Sequence, residues 1–151
     1  MSTLGSTSVV TVSLHGTSEP RLNVLKFVFC CAPNDSDVHA ACQIVRGYMG
    51  LNYEGRFVAH ISFTGDIITM DTKAMMTIIG SLLNIDREIN RVLKGMIVQP
   101  RTMDDSVIGL KNLFLRMCPT RKAFDVVVSD DDVKNFILRL EERERIKRNK
   151  R

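Results

Sequence analysis

Six cations crowd nine consecutive residues: Arg143, Arg145, Lys147, Arg148, Lys150 and Arg151 stand there against Glu144 alone, a local charge of +5. The whole chain of 151 residues carries a formal +4, which leaves −1 for residues 1–142. Long cationic side chains in such a run displace condensed counterions from a phosphate backbone, or sit in the negative potential of an anionic lipid surface. The same residues also suit the C-terminal pole of a helix dipole, in which case they are a solvated helix end. They are the candidate site for an anionic partner, which would be RNA, an anionic membrane surface, or both. On the body of the chain the next candidates are Arg46, Arg56, Arg87 and Arg91.

The other residues that can do chemistry lie apart. The cysteines are Cys30, Cys31, Cys42 and Cys118. His39-x-x-Cys42 is the one short pairing of zinc-ligand types, and it lacks a second pair, so no metal is expected. Cys30 and Cys31 fall in the most continuously apolar segment and are expected as buried, unmodified thiols. His15 and His60 fall in strand-like segments with no nucleophile or carboxylate placed beside them, and they read as half-buried or surface histidines. Ser129-Asp130-Asp131-Asp132 offers carboxylates to Mg²⁺ or Ca²⁺ but lacks the glycine and distal glutamate of an EF-hand, so it reads as a helix start. The linear motifs of P-loops, dinucleotide folds, zincins and nucleophile elbows are absent. No enzyme, cofactor or small-molecule substrate is inferred. With seven Phe, two Tyr and no Trp, no strand carries the aromatic run on which RNA-recognition domains stack bases.

Elements must hold these groups, and periodicity assigns them. Residues 1–8 are rich in Ser, Thr and Gly and are expected as a flexible end. Val9–Leu14 alternates as a half-buried strand, and Leu22–Cys31, apolar on both faces, reads as a central one. Asp35 or Ser36 can cap a helix carrying Val38, Ala41, Cys42, Val45 and Met49, which Gly50 ends. Arg56–Phe63 is a strand, to which Ile67–Met70 can pair as a hairpin. From Asp71 or Thr72 a helical stripe of Met75, Ile79, Leu82, Ile85, Ile89 and Val92 runs to Gly95, and Met96–Gln99 adds a short strand. Thr102–Asp105 resembles a cap for a helix through Val107, Leu110, Phe114 and Met117. Ala123–Val128 is the last strand, and Val133, Phe136, Ile137 and Leu140 form the stripe of the last helix. Beyond Leu140 that helix either projects into solvent or frays.

Interleaved strand and helix periods without a Pro, Gly or Ser-rich linker predict a single α+β domain over residues 9–140, a mixed sheet with packed helices, followed by a basic helical tail at 141–151. Its core is expected to hold Val28, Phe29, Val38, Val45, Phe57, Ile61, Ile79, Leu82, Phe114, Val126, Phe136 and Ile137. At 44% hydrophobic and 25% charged residues the chain has the composition of a folded protein, and no uncharged apolar run reaches membrane-spanning length. The N-terminal residues have neither a cationic segment nor a continuous apolar one, so they do not read as a secretory signal, and an intracellular site, cytoplasm or nucleus, is expected.

One stretch carries a family resemblance. The strand Leu22–Cys31, then Ser36-Asp37-Val38, Ala40-Ala41, Tyr48 and Gly50, then Arg56-Phe57 and Ile61-Ser62-Phe63-Thr64-Gly65, resembles the core of rhabdovirus matrix proteins of the vesicular stomatitis type. It covers about forty-five residues. A Pro-Pro-x-Tyr motif and a lysine-rich N-terminal arm are missing, and the basic cluster lies at the other end. The resemblance implies a non-enzymatic structural protein that self-associates as a homo-oligomer, bridges a nucleocapsid to a membrane and resides in the virion. The alternative class is an intracellular adaptor or complex subunit whose basic tail solubilises it.

Overall fold

Segments that alternate, or run apolar in Val, Ile and Phe, form the strands, and the capped segments of helical period form the helices. The computed structural model describes residues 2–31, 33–50, 55–64, 92–102, 107–109, 111–112, 116 and 123–150. Six strands, β1 (Ser2–Ser6), β2 (Val10–Gly16), β3 (Leu22–Phe29), β4 (Arg56–Phe63), β5 (Leu93–Gln99) and β6 (Ala123–Val126), lie side by side in chain order. Helix α1 (Asp35–Met49) connects β3 to β4, and α2 (Asp130–Asn149) follows β6. The pairs β1–β2 and β2–β3 are antiparallel, whereas β3, β4, β5 and β6 run parallel. The chain is a single α+β domain with a mixed sheet, packed helices and a basic C-terminal helix, as its periodicity predicts.

Alternation along the strands sorts the core into two layers. On one face Leu25, Phe27, Phe57 and Ile61 pack with Val38, Ala41 and Val45 of α1, and the rings of Phe29 and Phe63 stack 5.5 Å apart. On the other face Leu22, Val58 and Ile97 pack with Val133, Phe136 and Leu140 of α2. Burial on both faces is why β3 reads as an apolar run. Of the expected core, Phe29, Val38, Val45, Phe57, Ile61, Val126 and Phe136 are buried, while Val28 and Ile137 are partly so. Ile79, Leu82 and Phe114 lie outside the described residues, as do the hairpin strand Ile67–Met70, Met75–Ile89, Cys118, Arg87 and Arg91. Val107–Gly109, Lys111, Asn112 and Arg116 are helical, and Val107 is buried in the α1-side core.

Five expectations are corrected. Residues 2–6, expected as part of a flexible end, are β1, because pairing to β2 satisfies a backbone whose own side chains bury little. The α1 cap is Asn34, not Asp35 or Ser36: its side chain accepts from the Asp37 N–H and the Asp37 carboxylate accepts from the Asn34 N–H, both at 2.9 Å. Gly50 ends the helix as expected, at φ +60°. Gly95 lies inside β5, which begins at Leu93, and does not end a helix. A Cβ there would stand 2.8 Å from Leu140 Cδ1, so glycine is what lets α2 settle on the sheet. The last strand stops at Val126, not Val128. Finally, β3 stops at Phe29, which leaves Cys30 and Cys31 exposed. Cys30 Sγ donates to the Ser8 carbonyl at 3.3 Å, and local desolvation, then the Cys30 thiol and the Asp37 carboxylate, push the Cys31 thiol up.

Candidate anion-binding site

The site is built on α2, which crosses one face of the sheet. Its N-cap is Ser129, whose side chain accepts from the Asp132 N–H at 3.1 Å, and Asp130, Asp131 and Asp132 fill the first turn where the dipole favours them. The helix then runs unbroken to Asn149, so the basic segment over residues 141–149 continues it. Glu141, placed at the start of that tail from sequence, is buried and accepts from Ser18 Oγ–H at 2.6 Å.

Five of the six cations divide into two sets. Arg143, Arg145 and Lys150 stand exposed on the helix, with Arg145 paired to Glu142 at 2.8 Å. Lys147 and Arg148 turn to the sheet. Arg148 donates to Glu19 at 3.2 Å, and Glu19, in the turn before β3, is only 3% exposed. Arg151 lies outside the described residues. Around Lys147 and Arg148 the N-terminal ends of three strands bring further charge: Arg21 precedes β3, Arg56 opens β4 and Lys94 enters β5. Together with Glu19 and Glu144 these residues line a cavity of about 270 Å³. Glu144 pairs with Lys94 at 3.8 Å. Burial, joined by the like charges of Lys147 and Arg56, lowers the pKa of Lys94 against the opposing pull of Glu144. Arg56 was a candidate from sequence. Arg21 and Lys94 were not, because only sheet register brings them there.

At the other end of α2 the same sheet face carries a polar row. Ser13 of β2 is opposite Lys26 of β3, which is opposite His60 of β4. Ser13 Oγ and His15 Nε2 share a hydrogen bond of 3.0 Å. His60 Nε2–H donates to Gln99 Oε1 at 2.8 Å, and Gln99 Nε2 donates to the Val128 carbonyl at 3.0 Å and to Asp130 Oδ1 at 2.7 Å. Burial lowers the His60 pKa most, with Lys26 and His15 adding to it while Gln99 and Asp130 oppose. His60 is therefore buried, not the surface or half-buried residue that its segment suggests. Burial and Lys26 likewise lower His15. His39 and Cys42 are not brought together: His39 is exposed, accepting from Gln43 Nε2–H at 3.2 Å, and Cys42 is buried against the core.

No family model matches the chain, and neither a curated protein nor a solved structure matches it. Among the described residues no helix is long and apolar enough to cross a membrane.

Proposed function

We propose that the protein is a non-enzymatic structural protein that binds the phosphate backbone of RNA, bare or in a nucleocapsid, through the cationic end of α2, and that it self-associates. The observation that carries this reading is the exposure of Arg143, Arg145 and Lys150 on a rigid, continuous helix beyond its last core residues. The helix has already ordered the backbone that carries these cations, and on meeting phosphates they release the counterions condensed there. RNA is favoured over an anionic membrane because, among the described residues of α2 itself, only two large apolar side chains, Leu138 and Ile146, are exposed. An interfacial helix buries a continuous apolar face. Self-association rests on the matrix-protein resemblance alone.

Sedimentation of the whole chain with single-stranded RNA, and separately with anionic liposomes, at low and high salt tests the reading. Oligomers that carry RNA down at low salt and release it at high salt are expected. A monomer indifferent to both salt and RNA refutes it, and salt-sensitive co-sedimentation with liposomes but not RNA replaces the RNA with a membrane.

A further inference from the structure

Seven charged residues line the cavity between the end of α2 and the strand starts: Arg21, Arg56, Lys94, Lys147 and Arg148 against Glu19 and Glu144. Setting Arg56 aside, four cations against two carboxylates leave an excess of two positive charges among these described residues. Like charges gathered in one concavity repel unless an anion enters. Two features say which anion. All seven side chains are charged, and arginine and lysine donors suit phosphate oxygens. The depressed pKa of Lys94 also marks a cation held among cations in a partly desolvated site, a condition that a neighbouring anion relieves.

We propose that this cavity binds a phosphate group, and that a diphosphate, which brings more charge and more acceptor oxygens to the same donors, binds more tightly than a single phosphate. The inference rests on the anion-binding reading of α2 but uses a different set of its side chains. Lys147 and Arg148 face inward to a discrete phosphate, while Arg143, Arg145 and Lys150 face outward to a polymer. The phosphate is either a free ion or the 5′-terminal phosphate of an RNA strand.

Isothermal titration of the full chain with inorganic phosphate and with pyrophosphate tests this, beside Arg21→Gln and Glu144→Gln variants. Arg21 is exposed and its substitution keeps the carbonyl that accepts from the Arg56 N–H. One charge at contact range in a partly screened site changes affinity about three- to tenfold. Arg21→Gln is expected to weaken pyrophosphate binding by that factor and Glu144→Gln to strengthen it. No saturable binding, or binding indifferent to both changes, overturns the proposal, and the Glu144→Gln result decides alone if Arg21→Gln does not fold. A 5′-phosphorylated oligonucleotide that outcompetes its 5′-hydroxyl form for pyrophosphate assigns the group to an RNA end, and competition by neither assigns it to the free ion. Replacing Arg143, Arg145 and Lys150 by glutamine is expected to remove RNA binding and leave pyrophosphate binding intact, which separates failure of one site from failure of the other.

Discussion

The two ends of α2 are fastened to the same sheet face by different chemistry. At the N-terminal end Gln99 Nε2–H of β5 donates to the Val128 carbonyl and to Asp130 Oδ1, while Gln99 Oε1 accepts from His60 Nε2–H of β4. At the C-terminal end the bonds are ion pairs, Arg148 with Glu19 and Lys94 with Glu144, in a cavity where positive charge is in excess. A hydrogen-bond network whose amide is fully satisfied fixes position and is little altered by salt. A surplus of one charge is altered by both salt and ligand. The first end therefore positions the helix, and the second is where a partner can act.

The middle of the helix sets the scale against which both ends are measured. Phe136→Ala removes a buried ring packed between α2 and Leu22, Val58 and Ile97, and is expected to cost about 3–5 kcal/mol in denaturant unfolding. A loss below about 1 kcal/mol would mean that α2 is not docked as described, and the comparison of its ends would fall.

Gln99→Leu strips the acceptor from His60 and both donors from the start of α2. The expected loss is about 1–3 kcal/mol, unchanged between low and high salt. Arg148→Gln leaves the Glu19 carboxylate buried without this partner. Because Arg148 itself is about half exposed, the expected loss is about 1–2 kcal/mol, shrinking as salt rises. Opposite salt behaviour, the first variant sensitive and the second not, would invert the contrast. Removing residues 143–151 takes Arg148 away too, so it is expected to lower the thermal midpoint, contrary to a tail without structural work.

Protonation gives a gentler probe of the N-terminal end. The native His60 pKa lies below its ordinary value of 6.5, chiefly through burial, so the unfolded chain takes up the proton first as pH falls. The stability from a neutral His60 is complete above about 6.5 and is lost as pH drops from there toward the lowered native value. His15 shifts the same way and adds to the slope. His60→Gln is expected to flatten stability against pH across that window, and an unchanged slope would remove His60 from the account.

Sequence period made β2, β3, β4, α1 and α2 legible because each buries a face of its own. The strand β1 was not legible, since its Ser, Thr and Gly residues are ordered by hydrogen bonds from β2 and not by their own burial. Gly95 looked like a helix end because a glycine needed for close approach to Leu140 is the same letter as one needed for a turn. The outward cations Arg143, Arg145 and Lys150 could be read from local charge. Arg21 and Lys94 could not, because they lie 73 residues apart in sequence and meet only through strand register. Lys26 and His60 face each other for the same reason.

The most direct test of the central claim, that the exposed cations of α2 meet RNA phosphates, is the salt dependence of single-stranded RNA binding by the intact chain and by the Arg143→Gln, Arg145→Gln, Lys150→Gln triple variant. Each phosphate contact contributes a slope of about −0.7 in log K against log salt, so three to five contacts give about −2 to −3.5 in the intact chain. The triple variant is expected to flatten that slope by about 2 while its unfolding free energy stays within about 0.5 kcal/mol, as for exposed charges elsewhere. Equal slopes and affinities for the two proteins would contradict the account.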